Sequence, residues 1–362
     1  MKVLFLDKKL ENIYLKIINK TRLSTKDGII LFNTFDLTGL GILADIVRKK
    51  IHNNKAYYIY NQHLNYTNIC KNKCLFCAYG VDKENNKAYS WSINDIKEKL
   101  KKRINEPINE LHIVGGINID LDFNYYIDLL KTVKKIRPNA KIKAFTCVEI
   151  HHLSKISGFS LEKTICLLKD AGLDMMPGGG AEILNSRIRK KLFPQKIKGE
   201  TWLKIMEIVH KNGITSNATM LYGHIETIEE KIAHLILLRE LQDKTKGFSA
   251  FIPLAFHSKN TCLDYIPSTT SIDDLKNIAI ARLMLDNFDH IKAYWVMIGE
   301  QLASVALSYG ADDLDGTIIE EKITHRAGAK SAKGLTQNQM KDLIKNAGFK
   351  PIERDSFYNE IS

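Results

Sequence analysis

Eight strand-like segments alternate with helical patterns along most of this chain, and this alternation limits the folds open to it. The predicted strands are 57–68, 110–115, 141–146, 173–176, 215–222, 250–256, 290–297 and 312–317. The predicted helices between and after them are 93–103, 125–136, 161–171, 201–212, 228–244, 272–285 and 300–308. Parallel strands that each precede a helix close most economically into a barrel, with the site at the carboxyl ends of the strands. We therefore predict an α/β fold, a TIM-like (β/α) barrel, with a doubly wound open sheet as the alternative.

The chain divides into three predicted regions. An N-terminal helical extension covers residues 1–56, the barrel covers 57–333, and a C-terminal helix and tail packed on the barrel cover 334–362. Local signals support the helix boundaries. Ser271 and Asp274 form a capping-box pattern, and Gly172 and Gly213 follow helices as left-handed caps would.

The charge balance is basic, with 53 Lys and Arg against 41 Asp and Glu and a formal net charge of +12. Such a charge suits anionic substrates, a nucleic acid or a membrane surface. The basic residues are interspersed with acidic ones, as in 95–103, which indicates an ordinary solvated surface. No apolar run reaches about 18 residues, the length that indicates a membrane span. We therefore expect a cytoplasmic protein with neither a membrane nor a nucleic acid as partner.

Three of the six cysteines stand in the segment NYTNICKNKCLFCAYG, after the first predicted strand. Cys70, Cys74 and Cys77 have the spacing C-x3-C-x2-C, and soft thiolate ligands select iron–sulfur clusters. Three ligands for four irons leave one iron open, which a reactive cluster needs. The alternative is a structural zinc site of Cys3His type, for which His63 is the nearby imidazole.

This loop, with Phe76 as an aromatic residue before its last cysteine, resembles that of the radical S-adenosylmethionine (SAM) superfamily. Later segments resemble the aminofutalosine synthases of that superfamily. They are GGINIDLDFNYY, AFTCVEIHHLSK, PGGGAEIL, SNATMLYGHIET, AFIPLAFH, IKAYWVMIG and GADDLDGTIIEEKITHRAGA. The dehypoxanthine-futalosine cyclases and the coenzyme F420 ring-forming enzymes share the cysteine loop and PGGGAEI, and they are the alternative. AFIPLAFH and AYWVMIG favour the synthases.

The resemblance implies a [4Fe-4S] cluster held by the three cysteines and SAM as a consumed cosubstrate. A 5'-deoxyadenosyl radical would add to 3-[(1-carboxyvinyl)oxy]benzoate, and loss of the carboxylate would give aminodeoxyfutalosine for menaquinone biosynthesis. The implied partners are this small anionic substrate and a reductant such as flavodoxin or ferredoxin. The rival from another class is a zinc-stabilised nucleic-acid-binding protein, built on the cysteines, His63 and the positive charge.

Glycines and an aromatic residue are the first group of predicted cofactor-binding residues. Gly115 and Gly116 end the second predicted strand, where the absence of side chains permits close approach of a ligand, and the resemblance places the SAM amino group there. Phe76 would shield the adenine edge. Gly179 lies in PGGGAE, which we expect to lead into a short helix whose N–H groups attract a carboxylate; a simple turn is the alternative.

Glu149 is predicted from the resemblance to bind the ribose of SAM or the substrate, and it is also a candidate catalytic residue. It follows the third predicted strand, together with His151 and His152, whose imidazoles could pair with a substrate carboxylate. A surface or supporting role is the alternative for both histidines.

Further polar candidates lie in the second half of the chain. Asn217, Thr219 and Tyr222 lie along the fifth predicted strand, and we expect them to face the interior together and bind the cosubstrate. His257 follows the sixth strand and could line the mouth of the barrel as a catalytic group. Asp313 lies in an acidic run near the eighth strand, where a carboxylate could polarise the substrate or shuttle a proton.

Overall fold

Seven parallel strands form the main sheet. The computed structural model describes residues 4–361, so residues 1–3 of the predicted N-terminal extension and Ser362 of the tail lie outside the described residues. The strands follow one another in chain order. They are β2 (Asn61–Leu64), β3 (Glu110–Ile113), β4 (Lys141–Ala144), β5 (Met175–Met176), β6 (Thr215–Tyr222), β7 (Phe248–Ala255) and β8 (His290–Ile291). This order confirms the α/β barrel class, because a doubly wound sheet reverses its strand order in the middle.

A smaller sheet joins the two edges of the main one. It contains β1 (Lys55–Ile59), β9 (Asp313–Gly316) and β10 (Lys350–Glu353), with β1 in the centre. Only Tyr60 separates β1 from β2, and the Ala293 amide, just after β8, donates to the Asp313 carbonyl at 2.8 Å. The eighth predicted strand therefore lies between β8 and β1, and the curled sheet encloses an interior.

Helices cover the outside of the sheet. In chain order they are α1 (Lys9–Ile18), α2 (Thr25–Asn33), α3 (Leu37–His52), α4 (Ile93–Lys101), α5 (Phe123–Ile136), α6 (Cys147–Ser157), α7 (Leu161–Asp170), α8 (Ser186–Leu192), α9 (Gly199–Lys211), α10 (Ile228–Thr245), α11 (Ser271–Met284), α12 (Trp295–Ile298), α13 (Glu300–Ala306), α14 (Ile323–Arg326) and α15 (Gln337–Asn346), with a 3-10 turn at Leu307–Tyr309. The first three form the predicted N-terminal extension. Among the described residues, no helix combines the length and apolar character needed to cross a membrane.

The helix boundaries follow from capping and from apolar stripes. Asp122 caps α5 by accepting from the Tyr125 amide, and the helix buries Tyr126, Leu129 and Val133 on one face. Each such buried side chain contributes roughly 1.5–3 kcal/mol. This face packs inward as its spacing predicts.

Three sequence predictions need correction. The predicted strand 290–297 ends at Ile291, because α12 begins at Trp295 to bring its buried indole to the Gly316 carbonyl at 2.8 Å. The capping box of α11 is Thr270 with Asp273, one residue before the predicted pair. The C-terminal tail contains β10 in addition to α15, because the start of β1 offers a free edge for pairing.

Candidate active site

The three clustered cysteines line one wall of an interior cavity of about 340 Å³. Their loop follows β2 and is fixed at both ends. The Cys70 amide donates to the Val81 carbonyl at 3.0 Å, and the Leu75 amide donates to the Leu192 carbonyl at 2.9 Å. These bonds hold the loop across the carboxyl ends of the strands, where a barrel places its site.

The sulfur positions suit a cluster better than a single zinc ion. Among the described residues, the only three potential ligands whose donor atoms all lie within 4.8 Å of one another are His52, His290 and Asp312. The cysteine sulfurs are therefore more widely spaced than the ligands of one tetrahedral ion, as corners of a cubane require. The His63 ring instead stacks on His112, with 4.5 Å between ring centroids, and the zinc alternative loses its fourth ligand.

Burial raises the pKa of the Cys70 and Cys74 thiols and keeps both protonated in the absence of a metal. It raises the pKa of Cys74 to about 12 against the opposing effect of the nearby Lys196 ammonium. The Gly80 amide donates to the Cys77 sulfur at 3.3 Å, the kind of contact that tunes a cluster's potential. Three thiols, a backbone donor and a buried cation thus form a site that fits an anionic iron–sulfur cluster.

Lys196 was not predicted from the sequence. It lines the cavity, pairs with Glu182 at 2.5 Å and lies 5.0 Å from the ring centroid of Phe76, which also lines the cavity. Burial disfavours its charge, but Cys74 and Glu182 outweigh that effect and raise the Lys196 pKa. Lys196 lies in a basic segment of the kind that is usually exposed, so nothing in the sequence indicated that its side chain lines the cavity.

Gly115 and Gly116 line the cavity, but packing alone requires both to be glycine. A Cβ on Gly115 would lie 2.5 Å from the Tyr66 ring, and one on Gly116 would lie 2.2 Å from the Ile69 carbonyl oxygen. Close packing is therefore a second reason, besides the approach of a ligand, for glycine at these two positions. Their small size lets the cysteine loop lie directly on the end of β3.

The glycine run 178–180 is a turn that packs against β6 and α6. Gly179 lines the cavity, and the Thr219 hydroxyl donates to the Gly178 carbonyl at 2.8 Å. The expected helix does not follow directly, because α8 begins only at Ser186. Helix N–H groups therefore do not point into the site from this run.

Two of the three polar candidates on β6 line the cavity. Asn217 and Thr219 do so, and the Asn217 Oδ1 is buried without a hydrogen-bond partner among the described residues. Tyr222 does not, since its hydroxyl donates to Asp274 of α11 at 2.8 Å. Side chains alternate along a strand, so Leu221 shares the interior face instead.

Glu149 does not line the cavity, so the structure assigns it a supporting contact. It is the third residue of α6, and its carboxylate accepts from the Tyr66 hydroxyl at 2.8 Å, the Gly115 amide at 3.1 Å and the Thr146 amide at 2.7 Å. These three donors engage both carboxylate oxygens. His151 and His152 lie further along α6, also outside the cavity lining.

Of the two remaining catalytic candidates, His257 lines the cavity and Asp313 does not. The His257 Nε2 contacts the Met297 carbonyl at 2.8 Å, which assigns the proton to Nε2 and leaves Nδ1 as an acceptor. The buried Asp313 carboxylate pairs with Arg354 at 2.5 Å. The prediction for Asp313 needs correction, because Arg354, the residue after β10, neutralises its charge.

The deep part of the cavity is polar and was largely missed from the sequence. His63, His112 and Lys143 lie on β2, β3 and β4, with Asp315, Glu321 and Tyr294 opposite. The alternation of side chains along each predicted strand could have indicated which of these residues face the interior. Only the register between the strands shows that they lie side by side.

Family models match nearly the whole chain. The radical SAM superfamily model covers residues 64–238, and the CofH/MqnC C-terminal region model covers 245–361. The chain is 43% identical over 350 residues to the aminodeoxyfutalosine synthase of Thermus thermophilus, covering 96% of this chain and 94% of that protein. The chain belongs to the radical SAM superfamily.

Other radical SAM relatives have different activities in their names. A 5-amino-6-(D-ribitylamino)uracil--L-tyrosine 4-hydroxyphenyl transferase of Archaeoglobus fulgidus is 39% identical, covering 88% of this chain and 92% of that protein. The cyclic dehypoxanthine futalosine synthase of Streptomyces coelicolor is 36% identical, covering 94% and 86%. These matches establish that the chain has a radical SAM domain and a CofH/MqnC C-terminal region, and that it is an enzyme.

The fold also matches that of a solved structure. Methylornithine synthase superposes with a TM-score of 0.72 at 18% identity, covering 94% of this chain and 97% of that one. This confirms the predicted barrel. The superfamily implies a [4Fe-4S] cluster and SAM, which the three-thiol loop fits.

Proposed function

We propose that this radical SAM enzyme is an aminodeoxyfutalosine synthase, acting on 3-[(1-carboxyvinyl)oxy]benzoate in menaquinone biosynthesis. The observation that carries the proposal is an interior cavity lined both by the three-thiol loop and by a polar floor. The 43% identity to the Thermus thermophilus enzyme over almost the whole chain supports the choice among related activities.

In this proposal Cys70, Cys74 and Cys77 hold a [4Fe-4S] cluster, and SAM occupies the adjoining space. When bound, the cluster and SAM supply a 5'-deoxyadenosyl radical. Overall, the C5'–S bond of SAM breaks with release of methionine, and C5' joins the terminal vinyl carbon. The aryl group moves from the ether oxygen to the neighbouring carbon, which becomes a ketone as its carboxylate leaves as carbon dioxide. One electron enters at the start and one is returned at the end, so the conversion is redox-neutral. A reductant such as flavodoxin or ferredoxin provides the electron that starts the reaction, and the cytoplasm keeps the thiols reduced.

Residues of the upper cavity orient the cosubstrate in this proposal. Asn217 Oδ1 and the Thr219 side chain lie where a nucleoside can supply hydrogen-bond donors, since Asn217 is 2% exposed and its oxygen has no other partner among the described residues. Phe76 packs against the adenine, and Gly179 leaves room for it. These contacts compensate polar groups that would otherwise be buried unpaired.

The walls of the cavity exclude water from the reacting carbons. Leu254, Phe256 and Met297 supply apolar surface between the cysteine loop and the floor. A primary carbon radical reacts with almost any nearby C–H bond, so its lifetime depends on a fixed geometry. His257 Nδ1 is the acceptor available for a proton at this level.

The test follows the adenosyl group. Reduced enzyme is mixed anaerobically with adenosyl-labelled SAM and 3-[(1-carboxyvinyl)oxy]benzoate, and the products are resolved by mass spectrometry, with Cys74→Ala enzyme as the inactive control. Label in a larger, decarboxylated adduct supports the synthase. Label only in free 5'-deoxyadenosine, with the benzoate compound untouched, refutes it in favour of a cyclase or another hydrogen-abstracting relative.

A further inference from the structure

Three basic side chains form a row across the floor of the cavity. His63 of β2 pairs in register with His112 of β3, which pairs in register with Lys143 of β4. Residues in register on adjacent parallel strands point to the same face, and all three line the cavity. They are named here the floor row.

The two imidazoles of the floor row stack face to face. Their ring centroids are 4.5 Å apart and their planes differ by 11°. Burial lowers the pKa of both rings, and the proximity of the His63 ring and the Lys143 ammonium lowers that of His112 further. Each ring is therefore neutral at pH 7 and offers one N–H donor.

The floor row has hydrogen-bonding capacity that the protein leaves unused. His63 is 6% exposed, yet no hydrogen bond to either ring exists among the described residues. Lys143 donates to Glu110 at 2.6 Å, which leaves two of its three N–H groups. All three side chains line the cavity, so a bound ligand can supply the hydrogen-bond partners that the protein does not.

The acidic residues that face the floor row are already paired. Asp315 contacts Lys292 at 3.1 Å, while Glu321 accepts from the Thr324 amide and the His325 ring, each at 2.8 Å. The unused groups at this depth include an ammonium and two imidazole N–H donors, and a carboxylate is the ligand that complements these donors.

We propose that the floor row binds the benzoate carboxylate of the substrate and is the main determinant of specificity for an aryl acid. This proposal rests on the proposed function. The vinyl group must lie near the cysteine loop at the carboxyl ends of the strands, so the ring carboxylate at the other end of the molecule points to the floor. Binding there sets the distance between the vinyl carbon and the adenosyl group.

The test measures binding without turnover. Calorimetry on the reconstituted, oxidised holoenzyme with SAM determines the affinity for 3-[(1-carboxyvinyl)oxy]benzoate and for its ring carboxamide. We expect the wild type to bind the carboxylate about 10-fold or more tightly than the carboxamide. His112→Phe retains the ring stack but loses the donor, and it should lower the carboxylate affinity by a similar factor while the affinity for SAM stays unchanged.

His152→Phe is the matched control. His152 is also a buried imidazole without a partner among the described residues, but it lies on α6 outside the cavity lining, and its replacement should leave the substrate affinity unchanged. Equal wild-type affinity for carboxylate and carboxamide, or unchanged affinity in His112→Phe, overturns the carboxylate site. Absence of turnover by the wild type would refute the proposed function instead, so the two failures are distinguishable.

Discussion

Gly116 lies against the carbonyl oxygen of Ile69, so closely that a Cβ on the glycine would be 2.2 Å from that oxygen. The next residue along the chain from Ile69 is Cys70. Any side chain at position 116 therefore displaces the backbone that presents the first thiol.

We expect Gly116→Ala to lower the iron content of the purified protein severalfold, because the cysteine loop must move away from β3. Gly28→Ala is the control, since its Cβ would meet only the flexible Ile232 side chain, at 3.1 Å. Iron and sulfide analysis after anaerobic reconstitution measures the effect. Full iron content with weakened SAM binding would instead assign Gly116 to ligand approach alone.

Replacement of Cys70, Cys74 or Cys77 by alanine should abolish cluster retention and turnover. Each removes one of the three proposed ligands, and among the described residues no other cysteine lines the cavity. Cys166→Ala is the control, because Cys166 lies on α7 and its sulfur contacts Asn212 at 3.4 Å. The brown absorbance and the iron content report the outcome, and normal iron in Cys74→Ala would contradict the ligand assignment.

We expect Asp313→Ala to lower the free energy of unfolding rather than to affect the catalytic step directly. It leaves the Arg354 guanidinium buried without its closest anion, and such a loss costs about 3–5 kcal/mol. Glu11→Ala, which breaks the exposed pair with Lys8, should cost less than about 1 kcal/mol. Anaerobic urea unfolding measures both. A large loss of kcat at unchanged stability would restore Asp313 to the catalytic residues.

His234 makes the fold sensitive to acid. Its Nδ1 accepts from the Leu184 amide at 3.2 Å and its Nε2 contacts the Thr219 carbonyl at 3.0 Å, so the buried ring is neutral. Burial lowers its pKa from 6.5 to about 4, and the unfolded chain therefore binds the proton first as the pH falls. Stability should decline from pH 6.5 to about pH 4 by about 3 kcal/mol from this group.

His234→Gln tests this dependence, because glutamine retains polar contacts without titrating in that range. The variant should show a shallower loss of unfolding free energy between pH 6.5 and 4 than the wild type. An identical slope would mean that other buried imidazoles account for the acid sensitivity.

The sequence was most informative where a pattern is local. The alternation of strands and helices predicts the barrel, and the strand Thr215–Tyr222 is found with its predicted bounds. The spacing of Cys70, Cys74 and Cys77 indicates the cluster loop for the same reason. These signals depend on residues within a few positions of one another.

Pairings between distant segments could not be predicted in this way. In the sequence Asp313 resembles a catalytic carboxylate. Only the fold shows that it pairs with Arg354, 41 residues further along the chain. The floor row needs the register of three strands, and Glu149 needs the Tyr66 hydroxyl, 83 residues away, to be recognised as a supporting residue. In each case the sequence indicated the chemistry of the side chain but not the residue that it contacts in the fold.

The position of Ile319, in the segment that follows β9, bears on how the protein is synthesised. The His63 amide donates to the Ile319 carbonyl at 2.9 Å, so the strand beside the cysteine loop acquires its second neighbour only from a segment about 250 residues later. During translation the three thiols emerge long before the segment that closes the barrel beside them. Contacts so distant in sequence form late in folding. The nascent chain thus presents its metal ligands in an open half-barrel, and completion of the C-terminal region encloses them.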